Sequence, residues 1–115
     1  MPRRQGNPSP NDLLPGSLEL LVLRTLKLGG RHGYGIRRWV EESTEGVLKV
    51  EEGSLYPALQ RMERRGWIVS EWAVSEHGRR AKFYKMTQRG HQQLEEQTDR
   101  WRRFVAAVEG LLAAE

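Results

Sequence analysis

Glu51–Ile68 reads EEGSLYPALQRMERRGWI, and the reading of this stretch decides the fold. Leu55, Ala58, Leu59 and Met62 recur at helical spacing. At about 100° per residue these four fall on one side of a helix, while Tyr56, Pro57, Gln60, Arg61 and Arg64 fall on the other. One stripe is therefore fit for burial, and the opposite one offers hydrogen-bonding and cationic groups. Pro57 lies inside this pattern, where proline normally breaks a helix. The conflict resolves if Ser54 is the N-cap, because Pro57 is then the third helical residue, whose N–H has no intrahelical partner to lose. Tyr56, preceding proline, is left with some backbone strain. Gly66 ends the helix.

The neighbouring segments extend the pattern. PGSLELLVLRTLKLGG, from Pro15 to Gly30, starts with Ser17 as a natural N-cap and stops at Gly29-Gly30. Leu18, Leu21, Val22 and Leu26 make it apolar nearly all round, as befits a core helix. HGYGIRRWVEEST, from His32, reads as a second helix, amphipathic through Tyr34, Ile36, Trp39 and Val40. After Gly66 the period changes. WIVSEWAV and RAKFYKM are rich in aromatic and β-branched residues, with the turn-like SEHG between them, and predict a two-stranded hairpin. Within it, Trp67, Ile68, Trp72, Phe83 and Tyr84 alternate, which favours packing on the core over stacking on bases. Thr87 then caps a last helix from Gln88 to about Ala113.

Three short helices, a hairpin and a long helix describe a mainly α fold with a small β-hairpin: a winged helix-turn-helix plus a long C-terminal dimerisation helix. Residues 1–12, rich in Pro, Asn and Arg, read as a flexible tail; its two arginines suit a DNA-touching arm less well than a plain tail. The expected division is a DNA-binding domain over residues 13–87 and a dimerisation helix over 88–115.

Composition narrows the function. The chain has 115 residues, 30% of them charged, and suits one small domain. There is no cysteine, which excludes disulfides, thiolate catalysis and Cys-based zinc sites. His32, His77 and His91 are far apart and have no metal-ligand spacing. GGRHGYG matches neither the dinucleotide fingerprint nor the Walker pattern. No catalytic constellation is legible, so an enzyme is not expected, nor a cofactor or metal. No apolar run approaches a membrane span, and the N-terminus lacks a secretory pattern, so a cytoplasmic protein is expected.

The net charge of +4 is weak support for a polyanionic partner; its placement says more. Arg79, Arg80, Lys82, Lys85 and Arg89 follow one another with no acid between them. With His77, the first three cluster at or beside the hairpin tip, where they suit a phosphate backbone or an adjacent minor groove. A charged edge strand that resists aggregation is the plainer explanation, and both can hold. On the third helix, Arg61 and Arg64 can grip guanine O6 and N7, and Gln60 adenine N6 and N7. Ser54 and Tyr56 place hydroxyls near its start, beside free backbone N–H groups that can hold a phosphate. A merely solvated face is the alternative for these residues. The helix's third position in a trihelical pattern, ahead of a basic hairpin, favours double-stranded DNA. RNA is disfavoured, since its readers usually expose an aromatic sheet.

The segments LELLVLRTLKLGGRHGYGI, GSLYPALQRMERRGWI and SEWAVSEHGRRAKFYKMTQRG, with the closing helix, resemble the PadR family of bacterial transcriptional regulators. The resemblance runs from Leu14 to about Leu112 and favours the small subfamily with one C-terminal helix. It implies a homodimeric winged-helix factor, most often a repressor, at palindromic promoter sites. By match to its motifs, Tyr34 and the Ser54–Tyr56–Pro57 group would touch the DNA backbone, with Gln60, Arg61 and Arg64 in or near the groove.

The last helix carries Leu94, Trp101, Phe104, Val105, Val108, Leu111 and Leu112 at three- and four-residue steps, a longer apolar face than one small domain needs. It either folds back on the first helix or meets a second copy. The resemblance implies both, with Leu18, Leu21, Val22, Leu94, Trp101, Phe104, Val105, Val108 and Leu112 at the dimer interface. Some members of the family bind aromatic or phenolic effectors there, stacked on tryptophan. Trp101 is the candidate for that role, though packing in the core suits an aromatic at helical spacing better. A winged-helix protein-interaction module that does not bind DNA is the competing reading, and the uncompensated cations of the hairpin argue against it.

Overall fold

The computed structural model describes residues 16–115. The tail expected over residues 1–12, and its arginines, lie outside the described residues. The elements run α1 (Ser17–Leu26), β1 (Arg31–His32), α2 (Gly33–Ser43), α3 (Glu52–Arg64), β2 (Ile68–Val74), β3 (Arg80–Met86) and α4 (Gln88–Ala113). This is the expected order of helices and hairpin, with one addition. The sheet has three strands, not two, in the order β1-β3-β2. Arg31 pairs with Tyr84 and His32 with Phe83, so the residue expected to open the second helix ends a strand instead. His32 then caps α2, its Nδ1 accepting the Gly35 N–H at 3.0 Å.

α1, α2 and α3 pack around one core with the base of the sheet. Val22, Leu23, Ile36, Leu55, Leu59, Met62 and Ile68 are wholly buried there. Each such side chain is worth about 1.5–3 kcal/mol relative to exposure. The stripe predicted for the third helix (Leu55, Ala58, Leu59, Met62) is the stripe that is buried.

The predicted cap of that helix is not. α3 starts at Glu52, with Glu51 in the extended N-cap position, and the N–H groups of Ser54 and Leu55 already bond to the Glu51 carbonyl at 3.0 and 2.9 Å. Ser54 is inside the first turn, and Pro57 is the sixth helical residue. Its missing N–H leaves the Gly53 carbonyl without the usual donor. Gly53 is an exposed residue, and the buried stripe holds the helix together regardless. Similarly, Gly16 and not Ser17 takes the N-cap position of α1.

The far end of α3 closes as a Schellman motif. Gly66 has φ +79, its N–H bonds to the Glu63 carbonyl, and the Trp67 N–H reaches back to Met62. This turn also anchors α4. The Thr87 N–H and hydroxyl both bond to the Trp67 carbonyl at 3.0 Å, and the hydroxyl lies 2.6 Å from the Gly66 carbonyl. Gly90 then packs on the same Trp67 carbonyl so closely that a Cβ would overlap its oxygen. From there α4 runs along α1 and continues past it.

Candidate nucleic-acid interface

Three elements surround one concavity: the start of α2, the first turns of α3, and the hairpin. Its walls include Tyr34, Tyr56, Trp72, Arg80, Lys82 and Tyr84. Gly33 makes the close approach of α2 and α3 possible, since any Cβ there would collide with the Tyr56 ring and hydroxyl. Tyr56 is thereby fixed with its ring over α2, yet stays partly exposed. Tyr34 is half exposed, with the Arg38 guanidinium 5.7 Å from its ring centroid. Hydrogen bonds from Arg38 to Glu42 and Tyr34 raise its pKa further. Tyr84 closes the floor. Burial first, and then the nearby Glu63 and Tyr56, push its phenol pKa up, so it remains a neutral hydroxyl.

The sequence-predicted DNA residues are found in three settings. Ser54, Pro57, Gln60 and Arg64 are exposed along the outer face of α3. His77, Arg79 and Arg80 are exposed at or beside the hairpin tip, and Lys82 is half-buried further down the strand. His77 Nε2 is 3.8 Å from Glu76. Arg61 is different. It turns toward α1, where its Nε is 3.8 Å from Glu19, and Arg65 reaches the same carboxylate at 3.4 Å. Of the three arginines in and just after α3, Arg64 alone has no carboxylate partner among the described residues.

Trp72 corrects the expectation of hairpin-to-core packing. The face of β2 that carries Ile68 and Ser70 is covered by the helices, but two residues on the hairpin has left the core. Trp72 is 57% exposed, and Arg80 lies 4.8 Å from its ring centroid. Across the ladder it faces Lys82. Sequence reasoning missed it as a site residue, because alternation shows which face a side chain takes and not how far the core extends beneath it.

The residues predicted at a dimer interface also divide. Val22 (0% exposed) and Leu94 (6%) belong to the chain's own core, which corrects their assignment to a contact between copies. Leu18, Leu21, Val105 and Val108 are half-buried between α1 and α4 or at their margin. Phe104 and Leu112 are exposed, and so is Leu111. Trp101 is not in the core: it is 39% exposed, tilted against Phe104 with ring centroids 6.1 Å apart. It borders two grooves of α1 and α4, one with Glu19, Leu20 and Phe104, the other with Leu21, Arg24 and Val105.

Among the described residues there is no group of three or more metal-ligating side chains, and no helix is long and apolar enough to cross a membrane. A trihelical core, a helix with a polar outer face and a basic hairpin beside it define a winged helix-turn-helix protein with a long C-terminal helix. The chain belongs to the PadR-like transcriptional regulator family, whose sequence model matches residues 22–96. Solved structures agree. A PadR family transcription regulator from Clostridium difficile is 31% identical, with a TM-score of 0.73, over 85% of this chain and 100% of that one. A PadR-like transcriptional regulator from Bacillus cereus is also 31% identical, with a TM-score of 0.74, over 87% of this chain and 95% of that one. A Lysinibacillus sphaericus protein described only as uncharacterised is 28% identical over 91 residues, covering 79% of this chain and 84% of its own.

Proposed function

We propose that this chain is a homodimeric repressor that binds palindromic promoter DNA, with α3 in the major groove and the hairpin as a wing on the adjacent backbone or minor groove. The observation that carries this reading is the concavity itself. Tyr34, Tyr56, Arg80 and Lys82 meet in it, Gln60 and Arg64 are exposed further along the helix that carries Tyr56, and wing residues Arg79 and Arg80 have no acidic partner among the described residues. Groups of this kind on a concave edge suit phosphate contacts at the rim and base edges under α3. Tyr34, Ser54 and Tyr56 hold the backbone, Pro57 lies against it, Gln60 and Arg64 read bases, and His77, Arg79, Arg80 and Lys82 grip phosphates.

Pairing rests on α4. Trp101, Phe104, Leu111 and Leu112 expose apolar surface along one helix, and a second copy would cover it together with Leu18 and Leu21 of α1. The grooves beside Trp101 suit an aromatic effector. We assign the chain no catalytic role, and a cytoplasmic location follows from the proposed task.

The test is recovery of genomic fragments with purified protein, followed by binding to the recovered site at several salt concentrations. An inverted repeat with half-sites about one DNA turn apart is expected, and affinity should fall steeply as salt rises. No enrichment of any site, with binding indifferent to salt, would overturn the reading. Trp101 fluorescence unmoved by a library of phenolic and multidrug compounds would remove the effector.

A further inference from the structure

Glu19 is the third residue of α1, and its side chain is only 17% exposed. Its Oε2 lies 3.8 Å from Arg61 Nε and 3.4 Å from Arg65 Nη1. Arg61, in the last turn of α3, and Arg65, its C-cap, are four residues apart, so a single carboxylate meets both. Arg65 is further held by the Trp67 ring, 5.1 Å from its guanidinium. A carboxylate so withdrawn from water needs countercharge beside it. Glu63, the acid between them in the chain, accepts the Ser70 hydroxyl at 2.7 Å and pairs with neither arginine.

We propose that Glu19 is a specificity-determining positioning residue: it holds Arg61 and Arg65 away from DNA phosphates, leaving α3 to address DNA through Gln60 and Arg64. This rests on the DNA-binding reading above. Phosphate is the anion that would compete with Glu19 for both guanidinium groups. Phosphate contacts carry no sequence information, and off the operator, where no base contact fixes the register, the protein can shift its seat to make more of them. Two free arginines at the edge of the recognition face would therefore raise non-specific binding more than operator binding. Glu19 reduces the local charge of the trio from +2 to +1 and ties its cations to the body of the protein.

The experiment measures binding to the recovered operator and to a scrambled duplex of equal length across a salt series. It compares wild type, E19Q, and E109Q as a control that removes an exposed acid far along α4. E19Q should bind the scrambled duplex roughly threefold to tenfold more tightly and narrow the operator-to-scrambled ratio. Its log–log salt slope should steepen by about 0.9 to 1.8, for one or two added phosphate contacts. Adding R61A and R65A to E19Q should return the slope to the wild-type value or below.

An E19Q slope equal to wild type, or the same change in E109Q, would overturn the proposal, the second by showing that net charge alone is responsible. If E19Q loses its helical circular dichroism, E19D takes its place. It keeps the charge but draws it back by one methylene, so a steeper slope is again expected and an unchanged one overturns the proposal. Wild-type protein that binds no duplex would sink the DNA-binding reading itself, and this inference with it.

Discussion

The molecule carries positive charge in two neighbouring regions and restrains it differently. On α3, Arg61 and the adjoining Arg65 are tied to one carboxylate of α1. On the wing, Arg79, Arg80, Lys82 and Lys85 have no carboxylate partner among the described residues. For two of them an aromatic face takes that place: Arg80 rests 4.8 Å from the Trp72 centroid and Lys82 6.0 Å from that of Tyr84. An ion pair withdraws a cation from the field offered to a polyanion. A ring fixes the cation's position and leaves its charge and N–H edges outward. Reading sequence calls for few, well-aimed donors, and gripping a backbone calls for available charge. On the proposed function, the same residue types serve both tasks because their partners differ.

Breaking the common foundation should break both regions together. Leu59→Ala empties a fully buried position under α3 and should cost about 2–5 kcal/mol of stability, seen as a lowered denaturation midpoint with loss of all DNA binding. The regions separate in the next tests. Arg64→Ala should cost about 1–3 kcal/mol at the operator and relax base preference at one position per half-site, with little change on scrambled DNA. The double variant R79A/R80A should instead weaken binding to all duplexes by a similar factor and flatten the salt slope by about 1.8. If it altered base preference as Arg64→Ala does, the division of labour would be wrong. Trp72→Ala should cost about 0.5–1 kcal/mol through loss of the surface under Arg80, with part regained in Trp72→Phe. Arg61→Ala should have the smallest effect on operator binding, less than about threefold, because Glu19 already holds that side chain. A loss equal to that of Arg64→Ala would show that Arg61 leaves Glu19 for the DNA.

Much of this architecture is legible in the sequence. The apolar stripe of α3, the alternation around SEHG and the three- and four-residue steps of α4 are local patterns, and local patterns survive folding when a core rewards them. What stayed hidden is non-local. Arg31 and His32 have no strand character of their own and become β1 only because β3 offers them a partner. Ser54 has the chemistry of a cap, but the cap of α3 lies three residues earlier, where Glu51 takes the extended conformation. Nothing near Arg61 in the chain announces Glu19, 42 residues away, and helical angles alone put Arg61 beside Arg64. Val22 and Leu94 look like any other residue of an apolar face until the packing of α4 on the first helix covers them.

The contact of Thr87 and Gly90 with the Trp67 carbonyl has a mechanical consequence. α4 has 26 residues and is clamped near its first turn. At 1.5 Å per residue it is a lever arm of about 39 Å, so a tilt of ~5° at the clamp sweeps its tip through roughly 3 Å. That is about the tolerance of an apolar contact. The aim of Leu111 and Leu112 is therefore set some twenty residues upstream, at a position with room for hydrogen and nothing larger. A side chain added at residue 90 would act as a wedge under the fulcrum, felt less where it is placed than at the far end of the rod.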